Sequence, residues 1–179
     1  MTALQLLLLN LLYDILCLAL PWDQVDEEVC SKPLEWSGKT LGRFMRFFGP
    51  ISSIFDIITF AYLFFVLCPA VCGGTFASLS GSEEQARFIV LFQTGWFLES
   101  MWTQILILHL LRTQRLPLLQ SRPSRPVMLV TLLGTMMFTL LTFTPMGALI
   151  GLTALPPVYF IFLVAIVLFY LLWVTLAKR

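Results

Sequence analysis

The sequence predicts an all-α membrane protein: a polytopic helical bundle of five transmembrane helices, N-terminus outside and C-terminus cytoplasmic. Three observations carry this. Of the 179 residues, 59% are hydrophobic and 12% charged, against about 45–50% and about 25% in soluble proteins, and mean hydropathy is +0.90. Five separate stretches approach the ~20 apolar residues that a helix needs to cross a bilayer. The basic residues collect on alternate connecting segments, as the positive-inside rule requires. The composition excludes other classes as well. A disordered chain shows the opposite bias. Eleven basic against ten acidic residues leave +1, with no excess to hold phosphates, so no nucleic acid is expected as a partner. The partner implied is the lipid bilayer.

The first span covers about residues 3–21. It has no basic segment before it and contains Asn10 and Asp14, so it reads as a span and not as a cleaved signal peptide. The second covers about 47–72. Ahead of it Lys39, Arg43 and Arg46 recur at i, i+4, i+7 beside Leu41, Phe44 and Phe48, an interfacial helix start with snorkelling cations. Trp22 and Trp36 fit an aromatic belt. Gly73-Gly74 and Ser78 to Ser82 form a small external turn. The third span covers about 88–111, with Glu83 and Glu84 near its start and His109 as a boundary residue at its end. The fourth covers about 127–144. Pro145, Gly147, Gly151, Pro156 and Pro157 then punctuate a second external loop, and the fifth span covers about 157–177. The whole chain is one transmembrane domain. Ten of the eleven basic residues lie after span one (Lys32, Lys39, Arg43, Arg46), after span three (Arg112, Arg115, Arg122, Arg125) and in the tail (Lys178, Arg179). Those segments are read as cytoplasmic.

Three acids lie inside apolar runs: Asp14, Asp56 and Glu99. Each costs about 2.5–3.5 kcal/mol at a helix centre on insertion scales, so each is expected to face the bundle interior. From helical rise, Asp14 sits ~10 Å from the cytoplasmic end, Gln104 ~12 Å, Asp56 ~14 Å and Glu99 ~20 Å, all within a core about 30 Å thick. Neighbours on each helix add oxygens. Asn10, Asp14 and Cys17 share one face, as do Ser52, Asp56 and Thr59, while Glu99, Ser100, Thr103 and Gln104 form a stripe. Span four offers only Thr131, Thr135, Thr139 and Thr142, which can bond back to their own helix. Spans four and five therefore read as supports. Oxygen-only ligands suit a hard cation such as Mg²⁺ or Ca²⁺, or a proton relay. The bland alternative is interhelical hydrogen bonding that only holds the bundle together. Cys68 and Cys72, one turn apart, are poorly placed for a disulfide. No nucleophile–base motif is present.

At Leu6 to Asp26 the chain reads LLLLNLLYDILCLALPWDQVD. This resembles the sixth transmembrane helix of P-type cation-transporting ATPases, in particular the magnesium-importing subgroup. Asn10 and Asp14 match the family's Asn-x-x-x-Asp cation-site pattern on that helix. RFMRFFGPISSIFDIITF at Arg43 to Phe60 and FQTGWFLESMWTQILILHLLRTQRLPLLQSR at Phe92 to Arg122 fit the same subgroup. The resemblance covers essentially the whole chain and implies that its spans are the sixth to tenth helices of such a pump. It further implies Mg²⁺ as the transported ion, with Asn10 and Asp14 as leading ligands and Asp56, Glu99 and Gln104 as secondary path residues.

The family's engine has no counterpart here. No Asp is followed by Lys, so the phosphorylated Asp-Lys-Thr-Gly is missing, and Thr-Gly occurs only as Thr94-Gly95-Trp96. The resemblance thus implies that ATP is bound only by the full-length pump, with the missing N-terminal half of a pump, or a partner membrane protein, completing the assembly. Location in the plasma or inner membrane, multi-pass, is implied with it. An odd number of spans with an outside N-terminus also suggests a piece of something longer, from a truncated, split or incompletely delimited gene. The alternative is a stand-alone, non-catalytic membrane scaffold or regulator derived from a pump.

Overall fold

The computed structural model describes residues 1–24, 38–111 and 123–177. Among the described residues all regular structure is helical. The first helix, α1, spans Ala3–Ala19 and tightens into a 3₁₀ turn at Leu20–Trp22, close to the expected first span. Its start is fixed by a capping box. Thr2 Oγ1 accepts from the Gln5 N–H at 3.3 Å, and Gln5 Oε1 accepts from the Thr2 N–H at 3.0 Å, satisfying donors that a helix start otherwise leaves open.

The next helix, α2, spans Gly38–Tyr62. It runs through a π-helical turn at Leu63–Leu67 into α3, Cys68–Cys72. The helix therefore begins well before the apolar run, as the spacing of the basic residues suggested, although the side chains of Lys39 and Arg43 lie outside the described residues. It ends at Gly73, whose φ of +79° is a left-handed cap suited to glycine. Then α4 spans Ser82–Leu111, starting six residues before the expected span. Glu83 and Glu84 occupy its first turn, where acids favour the positive helix end.

Helix α5 spans Arg125–Leu141. The expected external loop after it contains a further short helix, α6, at Pro145–Leu149. Pro145 begins this helix instead of breaking it, because a first-turn proline loses no hydrogen bond, and Thr144 Oγ1 caps the Gly147 N–H at 3.3 Å. Last, α7 spans Pro157–Ala177, a helix over the stretch read as the fifth span. Among the described residues, Ala3–Trp22 and Gly49–Cys72 are long and apolar enough to cross a membrane. Two shorter apolar helices, Arg125–Leu141 and Pro157–Trp173, accompany them. The long α4 differs from these through its polar stripe. The basic residues Lys32, Arg112, Arg115, Arg122, Lys178 and Arg179, together with Trp36 and Cys30, lie outside the described residues.

Helix α4 is the hub. It packs against α1, α2, α3, α5 and α7, while α1 also meets α5 and α2 also meets α7. Phe97, Leu98 and Met101 of α4 are fully buried, with Leu16 of α1, Leu63 of the π turn and Leu163 of α7 around them. Close approach is set by glycines. A Cβ at Gly95 would stand 2.5 Å from Leu63 Cδ2, and one at Gly134 would stand 2.8 Å from Leu12 Cδ1. The outer surface is the inverse of a soluble one. Leu7, Leu18, Phe65, Leu132, Met137, Ile161 and Leu168 are all exposed, an apolar exterior that suits lipid or partner helices.

Candidate functional site

The expected site residues separate into two places. The first lies between α2, α4 and α7. Ile51, Phe55, Thr59 and Leu63 form the buried edge of α2, which brings the half-buried Asp56 to α4. There it stands within electrostatic reach of Glu99. Glu99 is 1% exposed, and its Oε2 has no hydrogen-bond partner. Thr59, fully buried one helical turn beyond Asp56, also has an unpartnered Oγ1.

The wall opposite comes from α7. Tyr170 is buried and packs edge-on against Phe55 with ring centroids 5.1 Å apart, within electrostatic reach of both acids. Tyr159 is fully buried, lies within electrostatic reach of Glu99, and donates a short hydrogen bond to the Gly95 carbonyl. Tyr62 stacks on Phe162 at 3.8 Å, and Phe60 meets Trp96 edge-on at 4.6 Å. The expectation that the fifth span is only a support is thus corrected. It carries no charge in this region, yet its two tyrosines enclose the acid pair.

The second place is the outer face of α1. Asn10 and Asp14, one turn apart, are both exposed, and their exposed neighbours are Leu7, Leu11 and Leu18. The packed face of α1 is Gln5, Leu9, Leu12, Leu16 and Ala19. The expectation that Asp14 faces the interior of the bundle does not hold within this chain: the helix turns its apolar ridge inward and its oxygens outward. Gln104 is half-buried on α4, one and a half turns beyond Glu99. No cluster of three or more His, Cys, Asp or Glu side chains that could hold a metal occurs among the described residues.

The α5 threonines behave as expected. Thr131 bonds back to the Val127 carbonyl, Thr135 to Thr131 at 2.8 Å and Thr142 to Thr139 at 2.7 Å. Thr139 also accepts from Trp102 Nε1 at 3.3 Å. His109, read as a boundary residue, lies in the last turn of α4. It is buried between α4 and α5, 3.3 Å from Thr131 Oγ1, beside an apolar cavity of roughly 470 Å³. Cys17, Cys68 and Cys72 are free thiols.

Sequence reasoning missed Gln5. It is fully buried, and its Nε2 donates to the Gly151 carbonyl at 2.9 Å, tying the start of α1 to the α6–α7 turn. The signal was present as Thr-x-x-Gln ahead of an apolar run. Also missed was Asp23, whose Oδ1 accepts from the Ser124 N–H at 2.7 Å and so joins the exit of α1 to the entry of α5.

With this geometry in place, the comparison with known proteins is direct. The family described as "Cation transporting ATPase, C-terminus" matches residues 1–179. The chain belongs to this family. A relative named "Magnesium-transporting ATPase, P-type 1" from Salmonella typhimurium strain LT2 is 46% identical over 179 residues, which is 100% of this chain and 18% of the relative. A protein of the same name from Escherichia coli strain K12 is 42% identical over 178 residues, 99% of this chain and 18% of the relative. The chain therefore spans about a fifth of the length of these relatives.

Proposed function

We propose that this chain is a membrane-domain segment of an ATP-driven, magnesium-importing P-type ATPase and supplies part of its intramembrane cation site. Its five apolar helical stretches cross the plasma or inner membrane with the N-terminus outside and the C-terminus inside, in the sense of the basic segments. Phosphorylation and ATP binding belong to the remainder of the pump. The family membership and the name of the relatives support the ion and the reaction class.

The observation that carries the site assignment is the exposed oxygen face of α1. Asn10 offers an amide carbonyl and Asp14 a carboxylate at i, i+4, both turned away from α4 and α5. An acid costs about 2.5–3.5 kcal/mol in lipid, so this face calls for a polar neighbour, and helices from the rest of the pump would provide it. Mg²⁺ takes six oxygens and keeps several as water, so two protein oxygens from one helix are a plausible share. Asp56, Glu99 and Gln104, which this chain holds in a different place, would be secondary residues of the ion's path. The test is Mg²⁺ uptake by a full-length pump containing this segment, in cells that lack other magnesium importers. Asp14→Ala abolishes uptake while the protein still reaches the membrane. Wild-type uptake by that variant would overturn the ligand assignment.

A further inference from the structure

We infer that Gln5 and Asp23 are positioning residues: two hydrogen-bonded latches, one at each end of α1, that fix the rotation of this helix and so hold the Asn10–Asp14 face outward. The inference rests on the proposed function for what that face does, and goes beyond it in naming what aims the face.

The leucines of α1 do not aim it. Leu9, Leu12 and Leu16 are buried, while Leu7, Leu11 and Leu18 are exposed, so the helix carries the same side chain inward and outward. In water that would settle the matter, because exposed leucine is costly there. Lipid is as apolar as leucine, and no hydrophobic force then selects the face that packs. The close fit of Leu12 to Gly134 involves only the end of one flexible side chain. What remains to choose a rotation is directional polar contact.

Such contacts stand at both ends. At the outer end Gln5 is fully buried. Its Oε1 accepts from the Thr2 N–H at 3.0 Å and its Nε2 donates to the Gly151 carbonyl at 2.9 Å, so both halves of the amide are used and its orientation is fixed. At the other end Asp23 Oδ1 accepts from the Ser124 N–H at 2.7 Å, at the residue that opens α5. Eighteen residues separate Gln5 from Asp23, about five turns of helix, so the two latches leave α1 from about the same side. The 3₁₀ turn at Leu20–Trp22 shifts this by about a sixth of a turn. Asp14 follows Gln5 by nine residues, about two and a half turns, and therefore lies across the helix from both latches. Asn10 stands within about 40° of Asp14 around the axis. One carbonyl from the α6–α7 turn and one N–H from α5 thus set where the oxygens of α1 point. Rotating α1 by about a quarter turn would break both bonds and swing Asp14 toward a neighbouring helix.

The test reads rotation first and ion binding second. Spin labels are placed one at a time on the full 179-residue chain in lipid nanodiscs, the other cysteines being replaced by alanine, and their accessibility to dissolved oxygen is measured. Asp14→Cys and Leu18→Cys report the outward side; Tyr13→Cys and the native Cys17, half-buried against the core, report the packed side. With both latches intact the outward pair is the more accessible. The contrast falls in Gln5→Met, which keeps the volume and loses the donor, and in Asp23→Ala. It is lost in the double variant, and Gln5→Met/Asp23→Asn recovers it to the level of Gln5→Met alone, because the amide oxygen still accepts from Ser124. Unchanged contrast in a folded double variant overturns the inference. If the double variant loses helix content by circular dichroism, unchanged contrast in both single variants overturns it. The second readout is Mg²⁺ uptake by a full-length pump containing this segment. Apparent affinity falls with the fraction of molecules that present the face correctly, so the double variant is expected to raise KM for Mg²⁺ about tenfold at near-normal kcat. A merely structural loss would lower the amount of active pump and leave KM alone. Lost contrast with unchanged KM, in a pump that Asp14→Ala still inactivates, overturns the positioning role. Where Asp14→Ala also leaves uptake intact, the ligand reading fails and the rotation lock stands.

Discussion

Asp14 on α1 and Glu99 on α4 begin from the same pattern, an acid among apolar residues with an oxygen-bearing neighbour one turn away. Their surroundings are opposite. Glu99 is walled in by α2 and α7 and meets a second carboxyl within the chain. Asp14 is exposed beside Leu11 and Leu18, on the side of α1 that this chain does not cover. An acid in a membrane helix is costly in either place, but the compensation differs. Around Glu99 the chain itself supplies it, so that site is bound up with the stability of the bundle. Around Asp14 the described residues supply none, so that face takes no part in holding the fold.

The largest expected effect comes from breaking the enclosed pair. Glu99→Ala removes a buried side chain and strips Asp56 of its partner. A cavity plus an unsatisfied buried group costs about 2–5 kcal/mol. Denaturant unfolding in mixed micelles, followed by circular dichroism, measures it. A loss under about 1 kcal/mol would mean that the α2–α4–α7 contact does not depend on the pair. Next is Gly95→Ala. The new Cβ would meet both methyls of Leu63, at 2.5 and 3.0 Å, and Leu63 is fully buried. Overpacking of this kind costs about 1–3 kcal/mol, and it would also disturb the carbonyl that accepts from Tyr159. The matching change on the α1 side, Gly134→Ala, meets only the end of Leu12. There a helix-propensity gain of up to about 1 kcal/mol offsets the contact, so stability should barely change. Equal losses at the two glycines would remove the distinction between a tight α2–α4 seam and a forgiving α1–α5 seam.

Smaller again is Gln5→Ala, which opens the capping box and the bond to Gly151. The expected loss is about 1–2 kcal/mol, with faster amide exchange confined to the first turn of α1 and the α6–α7 turn. Exchange that instead spreads through α4 would show that α1 supports the hub more than its contacts suggest.

These residues also show where the sequence was informative. The starts of α1 and α7 were legible because the apolar runs begin there, with Pro157 as a local signal for α7, whereas the capping role of Gln5 and the start of α4 six residues ahead of the apolar run were not. The three acids were legible because their cost in lipid depends on type and depth alone. Which of them would meet was not. Periodicity gives the face of a helix but not the helix opposite, and Asp56 and Glu99 are brought together only by the packing of α2 against α4. Tyr159 and Tyr170 were overlooked for a related reason. In a helix as uniformly apolar as α7, hydrophobic spacing defines no inner face, and an uncharged phenol looks like one more aromatic residue. The burial of His109 was not legible, because its position near the end of a run says nothing about the neighbouring helix that buries it.

The smallest expected effect is the most informative about α1. Asp14→Asn changes an exposed side chain with no packing role in this chain, and such substitutions usually stay within about 0.5 kcal/mol. Where Asp14 meets lipid, removing its charge even eases insertion, given the penalty for an acid there. Unfolding of the variant chain should therefore superimpose on the wild type or shift slightly upward. In a full-length pump the same substitution should still impair Mg²⁺ uptake, because an amide contributes a neutral oxygen where the ion needs a charge. If instead the variant chain loses more than about 1 kcal/mol, Asp14 is part of what holds the helices together. The contrast with Glu99 would then be one of degree, and the exposed face of α1 would lose its claim to be kept for an ion.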